Sequence, residues 1–269
     1  MGDDAPPLDV DGLLIDIDGV LTLSWEPIEG APEAVERLRR GGVPMRFVTN
    51  TTSLTRAEVT ERLHTAGMEV GEDDVLTAPL ATAAWLAEHH PAARCHLVNS
   101  GDLAADLAAL DLVGPDEDAD VVLLGGAGPE FSYEALNCAL GLLLDGAMLV
   151  AMHRNRYWRT AAGFALDTGA FVAALEQAAG VTATVVGKPS PDFFATAVRS
   201  LGVAPERAAM VGDDLDSDVL AAQAVGLHGV LVRTGKFREE TLEASTDEPD
   251  RVIGSFADLP ALLGTSGSR

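Results

Sequence analysis

A doubly wound α/β sheet with a second α/β region inserted into it is the fold this sequence predicts, on three observations. Short apolar runs alternate with amphipathic segments along nearly the whole chain, the pattern of strands and crossover helices in a parallel sheet. Leu13-Leu14-Ile15 and Ala209-Met210-Val211 are apolar without alternation, as strands buried on both faces are, and each runs into aspartates beside a glycine. Near Pro91 the alternation starts afresh, and it returns to the first pattern around Gly187. At 269 residues and 47% hydrophobic, the chain can bury a full core.

In order, the strand Leu13–Ile15 stops at Asp16 and Asp18, one residue apart, before the turn glycine Gly19. Pro32 to Arg40 reads as a helix that begins near a proline and ends at Gly41-Gly42. Val43–Val48 is the next strand and ends in Thr49-Asn50-Thr51-Thr52. Helices follow at Arg56–Ala66 and Pro79–His89. The inserted region reads as strand Cys95–Val98, helix Asp102–Leu110, strand Val121–Leu124, helix Tyr133–Leu144 and strand Met148–Met152. A polar and aromatic stretch, Arg154–Gly163, leads to the helix Thr168–Ala179. Strand Ala183–Val186 runs into Gly187-Lys188-Pro189, and a helix continues to Leu201. After Ala209–Val211 comes Gly212-Asp213-Asp214 through Asp218, then a helix to Val225, strand Gly229–Val232 and a terminal helix, Phe256–Leu263. The tail from Gly264 is expected to be disordered. The domain boundaries implied are 1–89 and 185–269 for the core and 90–184 for an inserted cap.

Composition limits the partners. With 18 basic and 42 acidic residues, a formal charge of -24, the surface repels phosphate backbones and anionic membranes, so neither nucleic acid nor membrane is expected to bind. A small phosphorylated substrate then needs a metal ion or a local positive site against that field. Cys95 and Cys138 have no metal-site or redox spacing and fit reduced thiols in a cytoplasmic protein. No signal peptide is evident, and no apolar run approaches the ~18 residues of a membrane span.

The ends of these strands and one loop offer Asp16 and Asp18, Thr49 and Asn50, Lys188, and Asp213 with Asp218. Phosphoryl transfer needs such groups: a carboxylate nucleophile, an acid/base, donors for phosphoryl oxygens, a cation, and carboxylates for a hard metal. Each also has a plainer reading. Thr49 and Asn50 suit a helix cap, and Asp214 and Asp216 suit solvated carboxylates at a helix start. Gly125-Gly126-Ala127-Gly128 lacks the full spacing of a dinucleotide loop. His153, Arg154, Arg156, Tyr157 and Trp158 either read the distal part of a substrate or pack at the surface.

Taken together, these motifs resemble the haloacid dehalogenase superfamily, which consists mostly of magnesium-dependent phosphatases. Asp16-Ile17-Asp18-Gly19-Val20 is similar to its first motif, Thr49-Asn50 to its second, Gly187-Lys188-Pro189 to its third, and Gly212-Asp213-Asp214 through Asp218 to its fourth. The insertion resembles the type-IIA cap of 4-nitrophenylphosphatase-like and ribonucleotide monophosphatase-like members. Leu166-Asp167-Thr168-Gly169, Val185 to Pro191 and Arg233-Thr234-Gly235-Lys236-Phe237 are similar to the phospholysine phosphohistidine inorganic pyrophosphate phosphatases.

The resemblance implies that Asp16 attacks phosphorus and becomes an aspartyl phosphate, and that Asp18 protonates the leaving group and then deprotonates water. It implies Mg2+ held by Asp16, the Asp18 carbonyl and Asp213, with Asp218 behind them. Lys188 would offset charge, and Thr49, Asn50 and Thr51 would bind the phosphoryl group. His153 and Arg156 would contact the rest of the substrate, a small phosphorylated metabolite, phosphoamide or pyrophosphate. Relatives with this cap also suggest a homodimer formed through it. Two alternatives stay open: a phosphotransferase or mutase sharing the intermediate, and a noncatalytic phosphate-binding module.

Overall fold

The computed structural model describes residues 7–160 and 163–263. The termini, including the expected disordered tail, lie outside the described residues. By contacts the chain forms two units: one made of the residues up to Thr49, Ala57–Leu76 and Phe194 onward, the other of Asn50–Arg56 and Thr77–Phe193.

The first unit is built on a six-stranded sheet ordered Arg251–Ile253, His228–Val232, Ala208–Gly212, Gly12–Asp16, Met45–Thr49, Val75–Thr77. The central strand Gly12–Asp16 pairs in parallel with both neighbours. Leu13, Leu14 and Ile15 are wholly buried, as their unbroken apolar run requires, each contributing roughly 1.5–3 kcal/mol. The helix Ala31–Arg40 has Pro in its first turn and buries Ala31, Ala34, Val35 and Leu38, the spacing of one helical face.

The second unit carries a five-stranded sheet ordered Thr184–Val185, Met148–Ala151, Val121–Leu124, Arg94–Val98, Asp111–Val113, with every pairing parallel. Two of its helices match their expected bounds, Tyr133–Leu144 and Thr168–Ala179. Ser132 and Asp167 cap their starts with side-chain oxygens, and Gly180 ends the second in left-handed backbone. A Tyr157–Thr160/Gly163–Leu166 antiparallel hairpin completes the unit.

By contacts, Asn50–Arg56, the helix Ala78–His89 and residues 185–193 group with the inserted stretch. Two expectations need correction. The helix expected at Asp102–Leu110 is a run of turns: the Asp102 carboxylate accepts the Ala104 N–H, an Asx turn that competes with a helical start. The helix expected to run to Val225 begins as a π-helical segment, Leu215–Leu220, before one short α turn, Ala221–Gln223. No helix among the described residues is long and apolar enough to cross a membrane.

Candidate active site

In the first unit the register Ile15↔Val211 sets Asp16 level with Gly212, so Asp16 and Asp213 leave the carboxyl ends of adjacent parallel strands. Asp218 reaches the same point from the π-helical segment. The N–H groups of Asp218 and Val219 both reach back to the Asp214 carbonyl, and Asp218 lies against Gly212, where a Cβ would fall 2.3 Å from that of Asp218. Asp16, Asp213 and Asp218 are all buried, and one oxygen of each lies within 4.8 Å of the others. Asp218, expected behind the ligands, is part of this same carboxylate cluster.

Burial, reinforced by the negative charge of Asp16, pushes the Asp213 carboxyl up to about 7, against the pull of the Lys236 backbone N–H and ammonium. Its Oδ1 is buried with no hydrogen-bond partner among the described residues. A buried, unpartnered oxygen among three convergent carboxylates is a donor set that fits a hard divalent cation.

Asp18 sits apart from this cluster: its side chain is exposed, and its Oδ1 accepts the Ser24 N–H at 3.1 Å. Ser24 and Trp25 form the turn between strands Thr22–Leu23 and Glu26–Pro27 and are both left-handed, at φ 52 and 72. That backbone costs a non-glycine residue roughly 1–2 kcal/mol, and the Arg62 guanidinium, 4.9 Å from the Trp25 ring centroid, packs over it. The strained turn thereby holds the donor that orients Asp18. Thr49 is buried at the end of its strand.

The second unit holds Lys188, Asn50 and Thr51. Lys188 is buried, and Asn50 bonds it reciprocally: Asn50 Nδ2 donates to the Lys188 carbonyl at 2.8 Å and Lys188 N–H donates to Asn50 Oδ1 at 2.9 Å. The Asn50 amide expected on a phosphoryl group is thus engaged in fixing the backbone of Lys188. Thr51 is half-buried beside Ser53, with the hydroxyls 3.4 Å apart.

His153 also departs from expectation. It is 3% exposed, with Nε2 3.4 Å from the hydroxyls of Thr52 and Thr168 and 3.8 Å from Asp167 Oδ1. Its Nδ1 accepts the Asn155 N–H, and burial pushes its pKa down against the pull of Asp167, which favours the neutral ring. Arg156, Tyr157 and Trp158 are exposed, while Arg154 pairs with Glu176. The glycine run at 125–128 makes room for Asn99, Thr52 and Ser100, whose side chains would collide with a Cβ there. Lys236, whose backbone N–H and charge both act on Asp213, was not foreseen as part of this site; the only signal was its place in the Arg233–Phe237 motif.

A parallel α/β sheet with carboxylates converging at adjacent strand ends defines a phosphoryl-transfer class of protein, and comparison with known proteins narrows it. A haloacid dehalogenase-like hydrolase model matches residues 13–113, and a HAD-hydrolase-like model matches residues 185–259. Human haloacid dehalogenase-like hydrolase domain-containing protein 2 is 41% identical over 91% of this chain and 92% of its own length. The phospholysine phosphohistidine inorganic pyrophosphate phosphatase of Xenopus laevis is 39% identical over 95% of this chain and 93% of its own. A p-nitrophenyl phosphatase structure from Archaeoglobus fulgidus superimposes with TM-score 0.87 at 35% identity, covering 94% of this chain and 98% of that one. NagD from E. coli gives 0.86 at 27% identity, covering 93% and 98%. The chain belongs to the haloacid dehalogenase-like hydrolase family, as a phosphatase with a type-IIA cap.

Proposed function

We propose that the protein is a magnesium-dependent phosphatase that works through an aspartyl phosphate on Asp16. The observation that carries this reading is the convergence of Asp16, Asp213 and Asp218 at adjacent strand ends. Asp16 and Asp213, with the Asp18 carbonyl and with Asp218 alongside, would hold Mg2+, which would supply positive charge to a phosphoryl group. The Asp16 carboxylate attacks phosphorus in line while the P–O or P–N bond to the leaving group breaks. Asp18, exposed and oriented by Ser24, gives the leaving group its proton. The same carboxylate then takes a proton from the water that hydrolyses the acyl phosphate, which returns Asp16 and releases inorganic phosphate. In the family's pattern Lys188 offsets phosphoryl charge, and Thr49, Asn50 and Thr51 donate to the phosphoryl oxygens.

The substrate is read as a small phosphorylated metabolite, phosphoamide or pyrophosphate, a range supported by the names of the relatives. The acid/base at Asp18 favours hydrolysis over a noncatalytic phosphate-binding role. The exposed Tyr157, Trp158, Phe164 and Leu166 of the cap hairpin support a homodimer formed through the cap. The free thiols Cys95 and Cys138 support a reducing, cytoplasmic setting. Release of inorganic phosphate from an aryl phosphate with Mg2+, abolished by EDTA, tests the reading. Turnover that persists in EDTA sinks the metal requirement, and transfer to an added sugar in place of water would make the protein a phosphotransferase.

A further inference from the structure

The stretch Arg233-Thr234-Gly235-Lys236-Phe237, which follows the strand His228–Val232, has no part in the chemistry above, yet it closes on Asp213. The Thr234 hydroxyl donates to the carbonyl of Gly19, and the Lys236 backbone N–H donates to Asp213 Oδ2 at 2.7 Å. Gly235, at φ +60, leaves no room for a side chain: a Cβ would stand 2.0 Å from Asp213 Oδ2 and 2.5 Å from the Gly19 Cα. Gly19 meets the same oxygen, and a Cβ there would be 1.9 Å away. Oδ2 is therefore walled in by two glycines and held by one N–H, while Oδ1 is buried with no partner among the described residues. The Lys236 ammonium adds a charge that favours the ionised carboxylate.

We propose that Thr234–Lys236 is a clamp on the cation site: it ties up Asp213 Oδ2 so that Oδ1 alone is presented as ligand, and its lysine tempers the charge of the site. Thr234 and Lys236 are positioning residues in this arrangement, which rests on the metal-dependent reading above. The two should act on cation affinity with opposite signs. Loss of the Thr234 hydroxyl frees the loop from Gly19 and lets Asp213 turn. Loss of the Lys236 side chain keeps the backbone N–H and removes a like charge from beside an incoming cation.

The test is calorimetric titration of Mg2+ into the substrate-free protein at fixed ionic strength, paired with melting curves in EDTA. Thr234→Val should weaken Mg2+ about tenfold, as loss of a group that orients a ligand does, and Thr234→Ser should restore it. Lys236→Met should tighten Mg2+ about threefold while lowering the melting temperature in EDTA, and Lys236→Arg should resemble wild type. If wild type binds Mg2+ saturably and Asp213→Asn does not, but both clamp variants keep the wild-type affinity and only melt lower, the loop is a structural support and the clamp is wrong. If wild type shows no saturable binding, or Asp213→Asn leaves it unchanged, the metal reading fails and takes the clamp with it.

Discussion

At the scale of single residues, Asp16 and Asp18 differ in ways that separate their roles. Asp16 is buried among carboxylates at a strand end, while Asp18 is exposed and steered by the Ser24 N–H. Asp16→Asn should therefore abolish turnover with the fold intact, because the amide is nearly isosteric and a poor nucleophile. A kcat/KM within about tenfold of wild type, only ~1.4 kcal/mol of barrier, would reject the covalent route. Asp18→Asn keeps an oxygen for the Ser24 N–H and keeps the nucleophile, but has no proton to give. Its single-turnover phosphorylation should fall further with an alkyl phosphate than with 4-nitrophenyl phosphate, whose leaving group needs no acid. Equal losses for both would remove Asp18 from that step.

At the scale of elements, what the sequence reveals depends on how local each signal is. The strand Gly12–Asp16 and its aspartates are legible because an unbroken apolar run, two carboxylates and a glycine are contiguous. Asp218 is harder to place, since it lies five residues beyond Asp213 among other acidic residues, and only the fold brings its carboxylate near those of Asp16 and Asp213. The Lys236 contact is unreadable because its partner lies 23 residues earlier and the bond is made by backbone. The hairpin Tyr157–Leu166 hides for another reason: Tyr157, Trp158, Phe164 and Leu166 are all exposed, so burial imposes no alternation.

His153 reads as a ligand because it lies among arginines and aromatics in sequence, and only the fold reveals that it is enclosed. It shares the second unit with His96, whose pKa burial also pushes down. A histidine depressed in the folded state contributes stability that is full above its unfolded pKa and lost as pH falls below about 6.5. The wild type should therefore lose more stability between pH 7 and pH 5 than the double variant His96→Gln/His153→Gln. Parallel stability curves for the two proteins in urea would show that neither ring is protonated on unfolding.

For the whole molecule, a formal charge of -24 and a buried carboxylate cluster oppose the folded state together, but they answer to different ions. Diffuse repulsion is screened by any salt, so the melting temperature in EDTA should rise gradually with NaCl. The cluster needs a cation in place. At fixed ionic strength, Mg2+ should add a saturable increase, worth ~2.7 kcal/mol at 100 times its Kd if the unfolded chain does not bind it. Asp213→Asn distinguishes the two effects, because its amide oxygen can still accept the Lys236 N–H while the charge that burial opposes is gone. In EDTA at pH 8, above the pKa of about 7 to which burial raises wild-type Asp213, the variant should melt at the same temperature or higher and keep the NaCl response. It should lose the Mg2+ increment. A variant that melts well below wild type in EDTA would mean that the ionised Asp213 holds this end of the sheet together, and that the site is not under like-charge strain.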